Sequence, residues 1–135
     1  MLLQDILDSK LAQVFKVHQD ETVAETIRLL EDMNISGVFV VDDNDRLSGI
    51  FTEKDVVFCF ATGVQAADTR VREVKRGDLI TFEPSTQVSE ALAVASKKKM
   101  RHLPIVEGDE IKGMITYRDL VSHVLPEICF MAEAM

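Results

Sequence analysis

Apolar residues follow two rhythms along this chain. Continuous runs such as Val38-Phe39-Val40-Val41 and Leu103-Pro104-Ile105-Val106 alternate with stretches where they recur at helical intervals, as at Val23, Ile27 and Leu30. The first rhythm predicts strands buried on both faces, the second an amphipathic helix. Read in order, the pattern predicts a lead-in helix over 2–7 and a strand over 14–17. A helix over 22–33 follows, opened by the capping-box pair Thr22 and Glu25. Strands at 38–41 and 47–52 flank the polar turn Asp42-Asp43-Asn44-Asp45 and form a hairpin. A helix over 53–62 ends at Gly63, a C′ glycine.

The order then recurs. A second lead-in helix is expected over 71–76, a strand over 79–82 and a helix over 88–100. Strands follow at 103–106 and 111–116, then a helix over 117–125 stopped by Pro126. Gln87 stands where the first copy has Thr22, so Ser85 or Thr86 is expected to cap. A slide of 65 residues lays Val23-Ala24-Glu25 on Val88-Ser89-Glu90 and the first apolar run on the second. Dropping one residue in the next turn superposes Gly49-Ile50-Phe51-Thr52-Glu53-Lys54-Asp55-Val56 on Gly113-Met114-Ile115-Thr116-Tyr117-Arg118-Asp119-Leu120. One gap aligns nearly every element, so the chain is read as a duplication. A unit of roughly 50–60 residues is marginal alone and is expected to share a core with its copy.

Composition narrows the class. With 47% hydrophobic and 28% charged residues, the chain is of ordinary globular type. No apolar run approaches the roughly 20 residues of a membrane span, and the first ten residues lack the basic start of a secretory signal. Two cysteines, Cys59 and Cys129, suit a reduced, cytoplasmic compartment. A net charge of −8 argues against nucleic acid as a partner. Residues 1–67 hold 5 Lys and Arg against 12 Asp and Glu; residues 68–135 hold 10 against 11. An anion site is therefore expected to draw its cations from the second half.

The β-α-β-β-α order, the stretch Arg101-His102-Leu103-Pro104-Ile105-Val106 and the doubled Gly-apolar-apolar-Thr-x-x-Asp together resemble a tandem pair of CBS (cystathionine-β-synthase) domains, a Bateman module of the stand-alone bacterial type. The resemblance runs from about Leu2 to Leu125. It implies an α/β (α+β) fold of two pseudo-symmetric repeats packed through their sheets. The boundaries are a first repeat with its lead-in at 1–64, linker and second lead-in at 65–78, second repeat at 79–125 and a tail at 126–135. It also implies a regulatory role in which AMP, ADP, ATP or NAD(H) binds in clefts between the repeats, with no obligatory cofactor. In such pairs the aspartate accepts hydrogen bonds from ribose and the threonine lies near phosphate. Thr52 and Asp55 are then expected in one cleft with Lys54, Ile80, Lys99, Arg101 and His102. Thr116 and Asp119 are expected in the other with Arg118, Lys16 and Gly37. The Asp55 cleft is expected to take the more highly charged phosphate group. A homodimer, a regulated protein partner, and neither nucleic acid nor membrane complete the implication. The apolar tail residues Ile128, Phe130 and Met131 are expected to pack on something, a second subunit being one candidate.

Simpler roles stand beside these. Thr52 with Asp55 and Thr116 with Asp119 are also capping boxes, and the two roles are compatible. Lys97-Lys98-Lys99 suits the negative end of a helix dipole. His102 is either a phosphate contact or a structural histidine; His18 and His123 read as surface or packing residues, and Cys59 as core. The acidic turn lacks the glycine and distal glutamate of a calcium loop. No nucleophile elbow, zinc-protease, Walker, dinucleotide or Cys-x-x-Cys motif occurs, so no enzyme and no metal site are expected. Two functions remain: a ligand-sensing module, or a structural dimerisation scaffold with no physiological nucleotide.

Overall fold

A computed structural model describes the backbone of residues 1–11 and 13–134 and the side chains as far as Leu125. In the first copy, Thr22 Oγ1 accepts the Glu25 N–H at 3.2 Å and opens α2 (Val23–Met33). The helix closes on Asn34 in the left-handed region at φ 52°, a conformation asparagine tolerates better than most residues. β1 (Lys16–His18), β2 (Gly37–Val41) and β3 (Leu47–Thr52) form one sheet in that order, β1 parallel and β3 antiparallel to β2. Val38 to Val41, with Ile50 and Phe51, are buried without a break, as their unbroken apolar runs require. In the turn, Asp42 Oδ1 accepts the N–H groups of Asn44 and Arg46 at 2.9 and 3.1 Å. α3 (Glu53–Ala61) leaves β3 directly, and Gly63 follows at φ 75°.

The second copy repeats α4 (Val88–Lys98), β4 (His102–Glu107), β5 (Glu110–Thr116) and α5 (Tyr117–Ala134), with four departures from expectation. Gln87, not Ser85 or Thr86, is the N-cap of α4, and its side chain makes no capping bond. The lead-in at 71–76 is a single 3-10 turn, Val71–Glu73, followed by one i→i−4 bond from Lys75 N–H to the Val71 carbonyl at 2.9 Å, and does not extend into a helix. The strand expected at 79–82 reduces to one parallel bridge between Phe82 and Ile105. Prolines explain that loss. Phe39 N–H donates to Phe15, and Gln19 N–H to Val41. Their counterparts 65 residues on are Pro104 and Pro84, which have no N–H to give. The two rungs between them survive: Phe82 N–H to Pro104 and Val106 N–H to Phe82, at 3.0 and 2.9 Å. Finally, α5 continues through Pro126 to Ala134. A proline removes one rung of the helical ladder and crowds the carbonyl four residues back, so it weakens or kinks a helix without always ending it. The expected packing of Ile128, Phe130 and Met131, and the state of Cys129, lie outside the described side chains.

The chain divides into two compact units, Val14–Leu79 and Met1–Gln13 with Ile80–Met135. The lead-in helix α1 (Leu3–Ser9), expected with the first repeat, therefore belongs with the second. Packing and hydrogen bonds give the reason. Leu3, Ile6 and Leu7 are buried in one core with Phe82, Val88, Leu103, Ile105, Ile115 and Leu120. Leu3 and Gln4 donate to the carbonyls of Thr86 and Pro84 at 2.9 and 3.0 Å, and Val88 donates to Met1 at 2.8 Å. The other unit makes the same three bonds: Val71 to Glu21, Arg72 to Gln19 and Val23 to Thr69, at 2.8, 3.0 and 2.9 Å. Each repeat thus carries a docked lead-in. One lead-in follows its repeat in sequence, and the other precedes both repeats.

The second lead-in closes onto β3 through Gly49. Ile50 N–H donates to Arg76 at 3.0 Å and Arg76 N–H returns to Ile50 at 3.2 Å. A Cβ at position 49 would lie 2.5 Å from the Arg76 carbonyl oxygen. Gly49→Ala must therefore push the segment off the strand, and we expect a loss of about 1–3 kcal/mol of stability, the usual range for overpacking, in denaturant titration.

Candidate functional site

Two junctions place the conserved-in-copy threonine and aspartate. Thr52 ends β3 opposite Gly37 and Thr116 ends β5 opposite His102; each is followed at once by a helix. The first helical turn is pinned to the neighbouring strand start. Glu53 N–H donates to Ser36 at 3.0 Å, and Tyr117 N–H to Arg101 at 2.8 Å. A helix beginning here leaves free N–H groups and positive potential at the sheet end.

In the first unit the junction is buried. Thr52 and Asp55 are 1% and 8% exposed, and Asp55 is the only buried carboxylate among the described residues. Asp55 Oδ2 accepts the Thr52 N–H at 2.8 Å and the Thr52 hydroxyl at 3.1 Å. A buried carboxylate also needs countercharge, and Arg76 supplies it. Its Nε lies 3.4 Å from Asp55 Oδ1, and its terminal nitrogen donates to Thr52 Oγ1 at 2.9 Å. Asp55 in turn acts on Cys59 one helical turn away. Burial, then the Asp55 charge, push the Cys59 thiol up, so it stays protonated and unreactive.

The second unit has the same box and a different cation. Asp119 Oδ2 accepts the Thr116 N–H at 2.8 Å, and Asp119 N–H donates to Thr116 Oγ1 at 3.1 Å. Lys10, just beyond α1, places its Nζ 2.8 Å from the same Oδ2 and 3.0 Å from the Met114 carbonyl. Burial raises the Asp119 pKa, but the Lys10 hydrogen bond, the Thr116 N–H and the Lys10 charge outweigh it and hold the carboxyl below its ordinary value. His123 fastens α1 to α5, with Nε2 3.0 Å from Ser9 Oγ and Nδ1 2.8 Å from the Asp119 carbonyl.

The remaining expected residues are distributed as follows. Lys54, Lys99, Arg101 and Arg118 are exposed, and Ile80 is 42% exposed outside any strand. Lys99 holds the left-handed C-cap of α4 at φ 55°, Asn34's place in the first copy. His102 is half-buried at the start of β4. Lys16 reaches back to the hairpin turn, with Nζ 2.6 Å from Asp45 Oδ2. Lys16, Gly37, Thr52, Lys54 and Asp55 fall in one unit, and the other seven in the second. Sequence reasoning missed Arg76 and Lys10. The available signal was a basic residue shortly after each lead-in, which carries no motif.

Side chains of metal-ligand type converge once among the described residues, at His18, Asp20 and Asp43, within 4.8 Å of one another. Protein groups already engage them. His18 Nδ1 accepts the Asp20 N–H at 3.1 Å, His18 Nε2 lies 2.7 Å from Asp43 Oδ1, and Arg72 pairs with Asp20. Among the described residues, no helix is long and apolar enough to cross a membrane.

The CBS domain family model matches residues 4–61 and 71–126. A putative signal-transduction protein with CBS domains from Burkholderia ambifaria superposes with a TM-score of 0.85, at 28% identity over 93% of this chain and 95% of that one. A CBS domain pair crystallised with 5′-methylthioadenosine and S-adenosyl-L-methionine shares the fold at a TM-score of 0.80 and 22% identity, over 94% of this chain and 97% of the other. Inosine-5′-monophosphate dehydrogenase from Nitrosopumilus maritimus is 31% identical over 81% of this chain, which spans 22% of that enzyme's length.

Lys10→Met removes the countercharge that outweighs burial at Asp119, so the Asp119 carboxyl is expected to titrate higher than in wild type when followed by carbon NMR. The folded pKa is depressed, so the pair's contribution to stability is complete above the ordinary value of about 3.9. It is lost as pH falls through the depressed value. The stability gap between wild type and Lys10→Met should therefore close over that acid range.

Proposed function

Because this chain belongs to the CBS domain family and carries the domain twice, we propose that it is a ligand-sensing regulatory module that binds an adenosine-containing ligand at the Thr-x-x-Asp junctions. Asp55 supports this most: a buried carboxylate at a helix start, where a cap alone would be served by an exposed side chain. Carboxylate oxygens suit the two hydroxyls of a ribose, and the adjoining helix N-terminus suits a phosphate. The related pair crystallised with 5′-methylthioadenosine and S-adenosyl-L-methionine is consistent with ligands of this chemistry. Lys54 beside Asp55 and Arg118 beside Asp119, each in the first turn of the helix that follows the junction, are carried into this proposal as contacts. A ligand regulates only through its differential affinity for two states of the module, so binding must favour one arrangement of module and partner. The catalytic activity in the dehydrogenase's name belongs to a protein of which this chain spans 22%, and no catalytic role is proposed here.

A second reading, a structural homodimer, draws on α3. Val57, Phe58 and Phe60 stand 67%, 57% and 91% exposed on this short helix, a concentration of apolar surface that a partner copy would cover. Dimerisation through α3 is compatible with sensing; the scaffold reading differs in having no physiological nucleotide.

Thermal unfolding with AMP, ADP, ATP and NADH separates them. Sensing predicts stabilisation growing with ligand, about 2.7 kcal/mol at a hundredfold excess over Kd. Asp119→Asn is expected to weaken binding at its site roughly tenfold or more, the loss of a charge-assisted hydrogen bond. A flat response to every adenosine compound at millimolar concentration leaves the scaffold alone. Phe60→Glu, at a position outside the core, should shift sedimentation from dimer to monomer; an unchanged profile removes α3 from the interface.

A further inference from the structure

Asp55 and Asp119 occupy equivalent places but are not equally available. The donors described at Asp119 all go to Oδ2, and the cation is a lysine on a flexible stem. At Asp55 both oxygens are engaged: Oδ2 by Thr52 and Oδ1 by the Arg76 guanidinium, which also holds the Thr52 hydroxyl. The Arg76 backbone is fixed by its paired bonds to Ile50, which Gly49 permits. Its side chain is still 49% exposed, so solvent and ligands reach the guanidinium. A planar guanidinium binds carboxylate and phosphate by the same forked geometry.

We propose that Arg76 is a partner-exchange latch on Asp55, released when a ligand's phosphate replaces the carboxylate as its partner, so that the Asp55 site selects ribonucleosides carrying phosphate over those without. This rests on the adenosine-ligand reading above. A ribose seeking Asp55 must displace Arg76 from Oδ1. An unphosphorylated nucleoside gives the guanidinium no new anion and bears that loss in full. A nucleoside phosphate presents an anion a short distance from the same ribose, and the arginine trades one charge-assisted pair for another. Arg76 keeps a charge-assisted partner throughout, and the ribose hydroxyls supply donors to the carboxylate it leaves, so the exchange runs close to balance. Asp119, with its lysine and one oxygen outside the described donor set, imposes no comparable selection. Arg76 is thereby a specificity-determining residue, and its position makes the two otherwise similar sites chemically distinct.

Calorimetry with adenosine and ATP tests this in Asp119→Asn, which isolates the Asp55 site, and in Asp119→Asn/Arg76→Gln. The first variant is expected to prefer ATP strongly. In the second, adenosine should bind roughly three- to tenfold tighter and ATP weaker, so the two affinities move in opposite directions. Thermal unfolding confirms that the second variant is folded. Arg76→Lys in the same background, which keeps the charge without the fork, should fall between the two. Adenosine and ATP moving in the same direction, or neither moving, overturns the latch while leaving the adenosine reading intact. So does ATP binding that survives in wild type but vanishes in Asp119→Asn alone. Wild type that binds neither compound overturns the adenosine reading, and the latch with it.

Discussion

Docking of the lead-in segments is the constraint on which the rest of this molecule depends. Three backbone hydrogen bonds fix each segment against its repeat, and they recur with the same pattern in both units. They place Leu3 and Ile6 in one core and Val71 in the other, all fully buried. They also set where the segment's later residues emerge, and those residues are Lys10 and Arg76. The cations at the two aspartates are therefore consequences of backbone register. Move the register and a buried carboxylate loses its countercharge, a far larger penalty than the loss of a surface ion pair.

Duplication gave two such arrangements the same frame, and single residues have since made them differ. Pro84 and Pro104 remove two rungs from the second sheet and leave it two-stranded with one bridge. Lys99 sits in a left-handed cap where the first copy has the better-suited Asn34. Arginine serves one aspartate and lysine the other. Pro104 takes the buried place of Phe39 and keeps it apolar, so the copies keep one architecture while their polar ends diverge.

Much of this was legible in the chain. The duplication, the hairpins, the Thr22 cap and both Thr-x-x-Asp helix starts follow from periodicity and local chemistry, because they involve residues near in sequence. What escaped was nonlocal. Arg76 meets Thr52 across 24 positions and Lys10 meets Asp119 across 109. No period or motif encodes such a pair. The lead-in's allegiance was hidden for the same reason: α1 is followed at once by the first repeat, and only its core companions and hydrogen-bond partners reveal that it belongs with the second. The missing strand at 79–82 is an instructive middle case. The run Leu103-Pro104-Ile105-Val106 is apolar enough for a strand and forms one, but its proline cannot donate to the neighbour on its other side. Aligning the copies and asking which N–H groups vanish would have found it.

Discontinuity of one unit has a bearing on how the chain acquires its structure. Val14–Leu79 is a single stretch and holds every residue its core needs, so it has what it requires as soon as it leaves the ribosome. Leu3, Ile6 and Leu7 have no such recourse, since their core companions begin at Phe82. Their contacts close a loop as long as the entire other unit, with the entropic penalty and slow formation that distant contacts carry. Until the second half arrives, the first turns of the chain present an apolar helix face to solvent or to whatever receives nascent chains. Vectorial synthesis thus imposes an order on two units that the duplication made nearly equivalent.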